Sequence, residues 1–76
     1  MNSEFKIGDR FFLKEIGSCL TLSSYNKCNG IWRADWKVPD SVIIVPEQLE
    51  RLKFYDMTMI KINDDKHLLE LQLRYG

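Results

Sequence analysis

Residues that build catalytic and metal sites are scarce in this sequence. It holds one histidine and two cysteines in 76 residues. His67 has no evident nucleophile or orienting partner, which a general base requires, and it reads as a rim histidine beside a turn. Cys19, Cys28 and His67 match no zinc-ligand spacing. Asn63-Asp64-Asp65 is far shorter than the roughly twelve-residue loop of an EF-hand calcium site and reads as turn chemistry. An excess of one charge is also lacking. Eleven basic and eleven acidic residues cancel, so no global field draws the chain to nucleic acid or anionic lipid. The longest β-branched block, Val42-Ile43-Ile44-Val45, is far short of a membrane span. Met1-Asn2-Ser3-Glu4-Phe5-Lys6 has no hydrophobic leader. These absences argue against an enzyme, a bound metal or cofactor and a membrane protein. The expected location is the cytoplasm.

The cysteines are expected to be free thiols. Nine residues of extended chain between Cys19 and Cys28 span on the order of 30 Å, whereas a disulfide needs Cα atoms about 5–6 Å apart. Free thiols suit a reducing compartment.

What is present is an alternating run. In Ile31-Trp32-Arg33-Ala34-Asp35-Trp36-Lys37-Val38, Trp32, Ala34, Trp36 and Val38 share one face, and Arg33, Asp35 and Lys37 share the other. Period two marks a strand with one buried face. Nine aromatic residues and 45% hydrophobic content support an ordered core. The chain is long enough for one domain, residues 1–76. Such a domain buries only roughly 60% of its unfolded surface, so dense packing or a partner must support it.

Turn signals divide the rest. Gly17-Ser18 suits a two-residue hairpin between Arg10–Ile16 and Cys19–Asn26. It sets Leu13 opposite Leu22, Glu15 opposite Leu20 and Phe11 opposite Ser24. A three-residue loop, Cys28-Asn29-Gly30, with Gly30 left-handed in a bulge, sets Leu22 opposite Trp36, Leu20 opposite Val38 and Ser24 opposite Ala34. A two-residue Asn29-Gly30 loop would flip the leucines away from the tryptophans. The expected core is therefore Phe11, Leu13, Leu20, Leu22, Trp32, Ala34, Trp36 and Val38. Val38-Pro39-Asp40-Ser41 is a turn, and Val42–Val45 reads as a strand covered on both sides. Pro46 suits the first position of a short helix near residues 46–53, with Glu47 and Arg51 spaced i,i+4 and Leu49 and Leu52 on its apolar edge. Asp56–Asn63 and Lys66–Tyr75 alternate and read as a last hairpin about Asp64-Asp65.

The expectation is a mainly β fold: a small antiparallel barrel-like or two-sheet domain of five to six strands with one short helix. The opening Phe5-Lys6-Ile7-Gly8-Asp9-Arg10-Phe11 resembles the lead-in to the first strand of many SH3-like barrels. An OB-like small barrel is the other form considered. The resemblance covers seven residues and bears on fold alone.

The outer face of the meander is the candidate surface. The expected registers align Arg10, Tyr25 and Arg33, then Phe12, Ser23 and Asp35, then Lys14, Thr21 and Lys37. Val42 and Ile44 would extend this face as an apolar patch. With Phe12, Ile16 and Cys19 nearby, that patch needs a covering helix, a second copy or a protein partner. Open strand edges also invite pairing. The favoured expectation is a non-enzymatic regulator or inhibitor acting by protein–protein contact or self-association. It is free-standing, of the kind typical of phage and mobile-element gene sets. Phe12, Tyr25, Arg33, Val42 and Ile44 are its candidate contact residues, since aromatics and arginine are the usual hot spots. The alternative is single-stranded nucleic-acid binding through Arg10, Phe12, Lys14, Tyr25, Lys27, Arg33 and Lys37, by charge and stacking.

Overall fold

The computed structural model describes residues 5–37 and 40–75. Val38 and Pro39, expected to end the third strand and open the next turn, lie outside the described residues. The elements are β1 (Arg10–Leu13), β2 (Ser18–Asn26), β3 (Ile31–Trp36), β4 (Ser41–Ile44), α1 (Pro46–Arg51), β5 (Lys53–Phe54), β6 (Met57–Ile62) and α2 (Asp65–Tyr75). The strands are antiparallel, in the order β4-β3-β2-β1-β6-β5. They form a curled half-barrel, the mainly β small fold that turn spacing and alternation predict.

The inner face is the one expected. Phe11, Leu13, Leu20, Leu22, Trp32 and Ala34 are buried in one cluster with Ile44, Leu49, Phe54 and Met59, and Trp36 packs against it. The registers that achieve this differ from expectation. Phe11 lies opposite Leu20 and Leu13 opposite Ser18, because Lys14–Gly17 forms a four-residue loop. Gly17 closes that loop with φ of 64° and donates its N–H to the Leu13 carbonyl (2.8 Å). The shift is even, so faces are conserved. Between β2 and β3 the loop is again four residues, Lys27–Gly30. Gly30 is left-handed, as expected, with φ of 71°. The parity change comes instead from a bulge between Leu22 and Ser24. Leu20 lies opposite Trp36 and Leu22 opposite Ala34, whereas Ser24, Tyr25 and Asn26 lie opposite Arg33, Trp32 and Ile31. One extra residue in a strand reverses which face the following side chains take.

The short helix begins at Pro46 as expected and carries the Glu47–Arg51 ion pair (3.3 Å). Gln48 Oε1 accepts the Val45 N–H (3.0 Å), the reach-back half of a capping box. Leu49 enters the core. Leu52 does not: it is the left-handed C-cap, φ 53° and ψ 48°. The helix joins the edge strand β4 to the opposite edge, β5. Phe54 on β5 fills the barrel interior, edge-on to Trp36 at 5.6 Å between ring centroids.

The last expected strand is a helix. Lys66–Tyr75 belongs to α2, and the Asp64-Asp65 signal is its start. Asp64 Oδ1 accepts the His67 N–H (2.8 Å), and the Asp64 carbonyl accepts the Leu68 N–H (3.0 Å), which is N-cap geometry. Leu68, Leu71 and Tyr75 form a helical stripe that packs on Phe12 and Ile62 with Cys19 and Ile60. Alternation and helical period coexist in this segment, and its Leu, Glu, Gln, Lys and Arg content favours the helix. The half-barrel therefore has two cores, one inside its curl and one between β1–β6 and α2.

Candidate functional site

α2 decides which part of the outer face stays open. It lies over β1 and β6, and Phe12, 1% exposed, is the centre of what it covers. The apolar patch expected around Phe12 and Cys19 thus exists, and a segment of the same chain covers it. Phe12 is a core residue, not a contact residue. Val42 and Ile44 are also inward. They lie opposite Ala34 and Trp32, and Ile44 is fully buried. The outward residue of β4 is Ile43, opposite Arg33 and 53% exposed. Ser41 marks the polar face of β4, so Ser41 and Ile43 project together. Ser41 is the one sequence signal for this outward face, and a weak one, because Val42, Ile43 and Ile44 make β4 apolar on both faces.

The cationic row does not assemble. Arg10 lies opposite Thr21 and Ile62 and forms an ion pair with Asp65 of α2 (3.0 Å). Lys14 lies over the Tyr75 ring at 5.4 Å, and Lys37 over the Trp36 ring at 4.8 Å. Tyr25 is turned by the bulge to the inner face, where its ring lies 4.5 Å from that of Trp32. Of the seven residues expected to hold nucleic acid, only Tyr25, Lys27 and Arg33 come together.

They do so in an open groove of about 510 Å³ at the β2–β3 end of the sheet. Its walls include Ser24, Asn26, Ile31, Arg33 and Ile43, with Tyr25 and Trp32 at one end and Lys27 and Asn29 from the loop. The loop is pinned locally: Asn26 Oδ1 accepts the Cys28 N–H and Asn29 Oδ1 accepts the Ile31 N–H. The Ser23 hydroxyl, at the bulge, donates to the Arg33 carbonyl (2.9 Å). Arg33 reaches across β4, where Nη1 donates to Ser41 Oγ (3.2 Å). Among the described residues no carboxylate lines this groove. Ile31, Ile43, Ser41 and Asn29 were not among the residues singled out from sequence.

His67 and Glu15 have structural partners. His67 Nδ1 accepts the Asn63 N–H (3.1 Å), so the histidine belongs to the α2 cap, not to a hairpin. Glu15 binds the start of β6 with both oxygens, accepting the Thr58 N–H (2.6 Å) and hydroxyl (2.9 Å). The backbone N–H bond holds its carboxyl below the ordinary glutamate range, aided by the hydroxyl. Both cysteines are free. Cys28 is exposed, and burial beside Phe12 pushes the Cys19 thiol up, opposed by Arg10. Among the described residues no three of His, Cys, Asp and Glu converge on a metal position, and no helix is long and apolar enough to cross a membrane.

No family model, curated protein or solved structure matches the chain.

Proposed function

We propose that the protein acts without catalysis, as a small regulator or inhibitor that binds another protein through the open outer face of β2, β3 and β4. The observation that supports this reading is partial cover. α2 seals the β1–β6 half of the sheet, while Ile31, Arg33 and Ile43 on the other half remain outward beside the groove. An arginine between apolar side chains at a groove rim is typical of interface hot spots. The action is steric: a preformed face occupies a surface of the partner. A small single-domain binder suits the accessory gene sets of phages and mobile elements, with the partner a cytoplasmic protein of the host. Two unpaired thiols fit that compartment.

The test is capture from the native host together with mass in solution. One host protein should be retained by the wild type and lost with Arg33→Glu and with Ile43→Asp, whose exposed positions lie outside the core, with circular dichroism checking that both fold. A monomer that retains no protein overturns the reading. A second reading, binding of single-stranded nucleic acid, is favoured by one observation: Lys27, Arg33 and Tyr25 share the groove. Oligonucleotide binding that weakens steeply with salt would support it. No binding at low salt removes it.

A further inference from the structure

The open face ends at an open edge, and the backbone there has a definite pattern. Within the described residues β4 pairs only with β3. Opposed residues of an antiparallel pair alternate between hydrogen-bonded and non-bonded positions. The Trp36 N–H donates to the Asp40 carbonyl (3.0 Å), so Trp36 and Asp40 form a bonded position. The same register continues through Ala34–Val42 and Trp32–Ile44. Val42 and Ile44 therefore direct their backbone groups to β3. Ser41 and Ile43 direct theirs to the free edge. The next outward N–H, that of Val45, is taken by Gln48, which ends the edge there.

We infer that this edge takes an acidic, extended peptide segment of a partner protein as an added strand beside β4. The inference rests on the protein-contact reading above and names the partner's chemistry. Two outward N–H and C=O pairs complement a peptide backbone, which recognises an edge by main-chain bonds and alternate side chains. Side chains of the added strand on the groove side would meet Ile43 and, two residues along, Ser41 and the guanidinium of Arg33. That spacing asks for an apolar residue and an acid at i and i+2. Among the described residues the Arg33 guanidinium has one hydrogen-bond partner, Ser41, and no ion pair. Lys27 adds a second cation at the groove. Asp35, a carboxylate of the same face, lies opposite Ser41 on β3, one strand in from the edge. A second copy offers poorer complementarity, because β4 presents only Ser41 and Ile43 outward and brings no carboxylate to Arg33. Nucleic acid has no use for the alternating edge.

The probe is a synthetic peptide of about eight residues alternating aspartate and valine, within ordinary strand length. Its counterpart alternates lysine and valine. Wild-type protein should bind the acidic peptide at least about tenfold more tightly, a difference of about 1.4 kcal/mol. Ile43→Pro removes the outward N–H while leaving the β3–β4 bonds in place, and it should abolish binding. Ile43→Thr, which keeps that N–H, should retain most of it. Arg33→Ala should narrow the preference for acid over lysine. Circular dichroism establishes that each variant is folded. Absence of acidic-peptide binding at millimolar concentration overturns the inference. So does equal binding by Ile43→Pro, displacement of the peptide by oligothymidylate, or self-association that Ile43→Pro prevents. A host protein still captured by Ile43→Pro but lost with Arg33→Glu would sink the added strand and leave the protein-contact reading standing.

Discussion

Phe12 separates the structure from the surface reading of the sequence more sharply than any other side chain. On an open face, its loss would leave stability nearly unchanged and weaken partner binding. Here it is 1% exposed, opposite Cys19 on β2 and Ile60 on β6, beneath Leu71 and Tyr75 of α2. Burial of about 150 Å² of ring, at about 25 cal/mol per Å², contributes about 4 kcal/mol. That agrees with the roughly 3–5 kcal/mol cost of Phe→Ala in cores. Total stability for this length is about 4–11 kcal/mol, so Phe12→Ala removes a large share of it. A loss of 3 kcal/mol corresponds to at least about 12 °C in Tm for a domain this small. Urea unfolding followed by tryptophan fluorescence measures the loss. Thiol labelling locates it: Cys19, packed beside Phe12, should react faster in the variant, with exposed Cys28 as the internal reference. A loss below about 1 kcal/mol with unchanged Cys19 labelling would refute the second core and the placement of α2.

Three further outcomes follow from particular contacts. Trp36→Phe loses the indole N–H bond to Ser18 Oγ (3.0 Å) and should cost about 1 kcal/mol, whereas Trp36→Ala also loses the edge-on contact with Phe54 and should cost about 3 kcal/mol or more; equal costs in denaturant titrations would contradict the bond. Glu15→Gln tests the Thr58 anchor through pH. The folded carboxyl titrates below its unfolded value, so its contribution is present above the unfolded pKa and is lost as pH falls through the folded one. The wild-type advantage over the variant should fade in that acidic window, and parallel stability curves would contradict the anchor. Leu52→Gly should raise stability by up to about 1 kcal/mol, because φ of 53° disfavours a residue with a Cβ and Leu52 is outside the core; a loss in thermal melts would show that its side chain packs.

The inner core was legible because period two leaves little freedom. Trp32, Ala34 and Trp36 must share a face, and only one parity places Leu20 and Leu22 with them. Pro46 and the Glu47–Arg51 spacing located α1 for local reasons. What was hidden depended on tertiary context. The bulge at Ser23 has no glycine to mark it, yet it moves Tyr25 from the row of Arg33 to the face of Trp32. β5 is two residues long, and Phe54 gains its role only from the barrel interior. In α2 the alternating leucines Leu69, Leu71 and Leu73 and the helical pair Leu68 and Leu71 share only Leu71, and the amphipathic surface of β1–β6 chooses the second set. The contact face inherited these errors. Sequence pattern alone turns Val42 and Ile44 outward where Ile43 is, and leaves Phe12 uncovered because the helix above it alternates like a strand.

The return of β6 to the side of β1 also bears on how quickly the chain reaches this state. β1, β2, β3 and β4 pair with sequence neighbours, and each step closes only a short loop. Phe12 and Ile60, by contrast, are far apart in sequence. Joining them requires closure of roughly two-thirds of the chain, whose entropy must be lost before the contacts can compensate. During synthesis the meander can form while β1 still lacks its second neighbour and Phe12 lacks its cover. The nascent chain therefore exposes its most apolar outer surface until Tyr75 has emerged, and that interval, more than the finished fold, is when association with other chains is hardest to avoid.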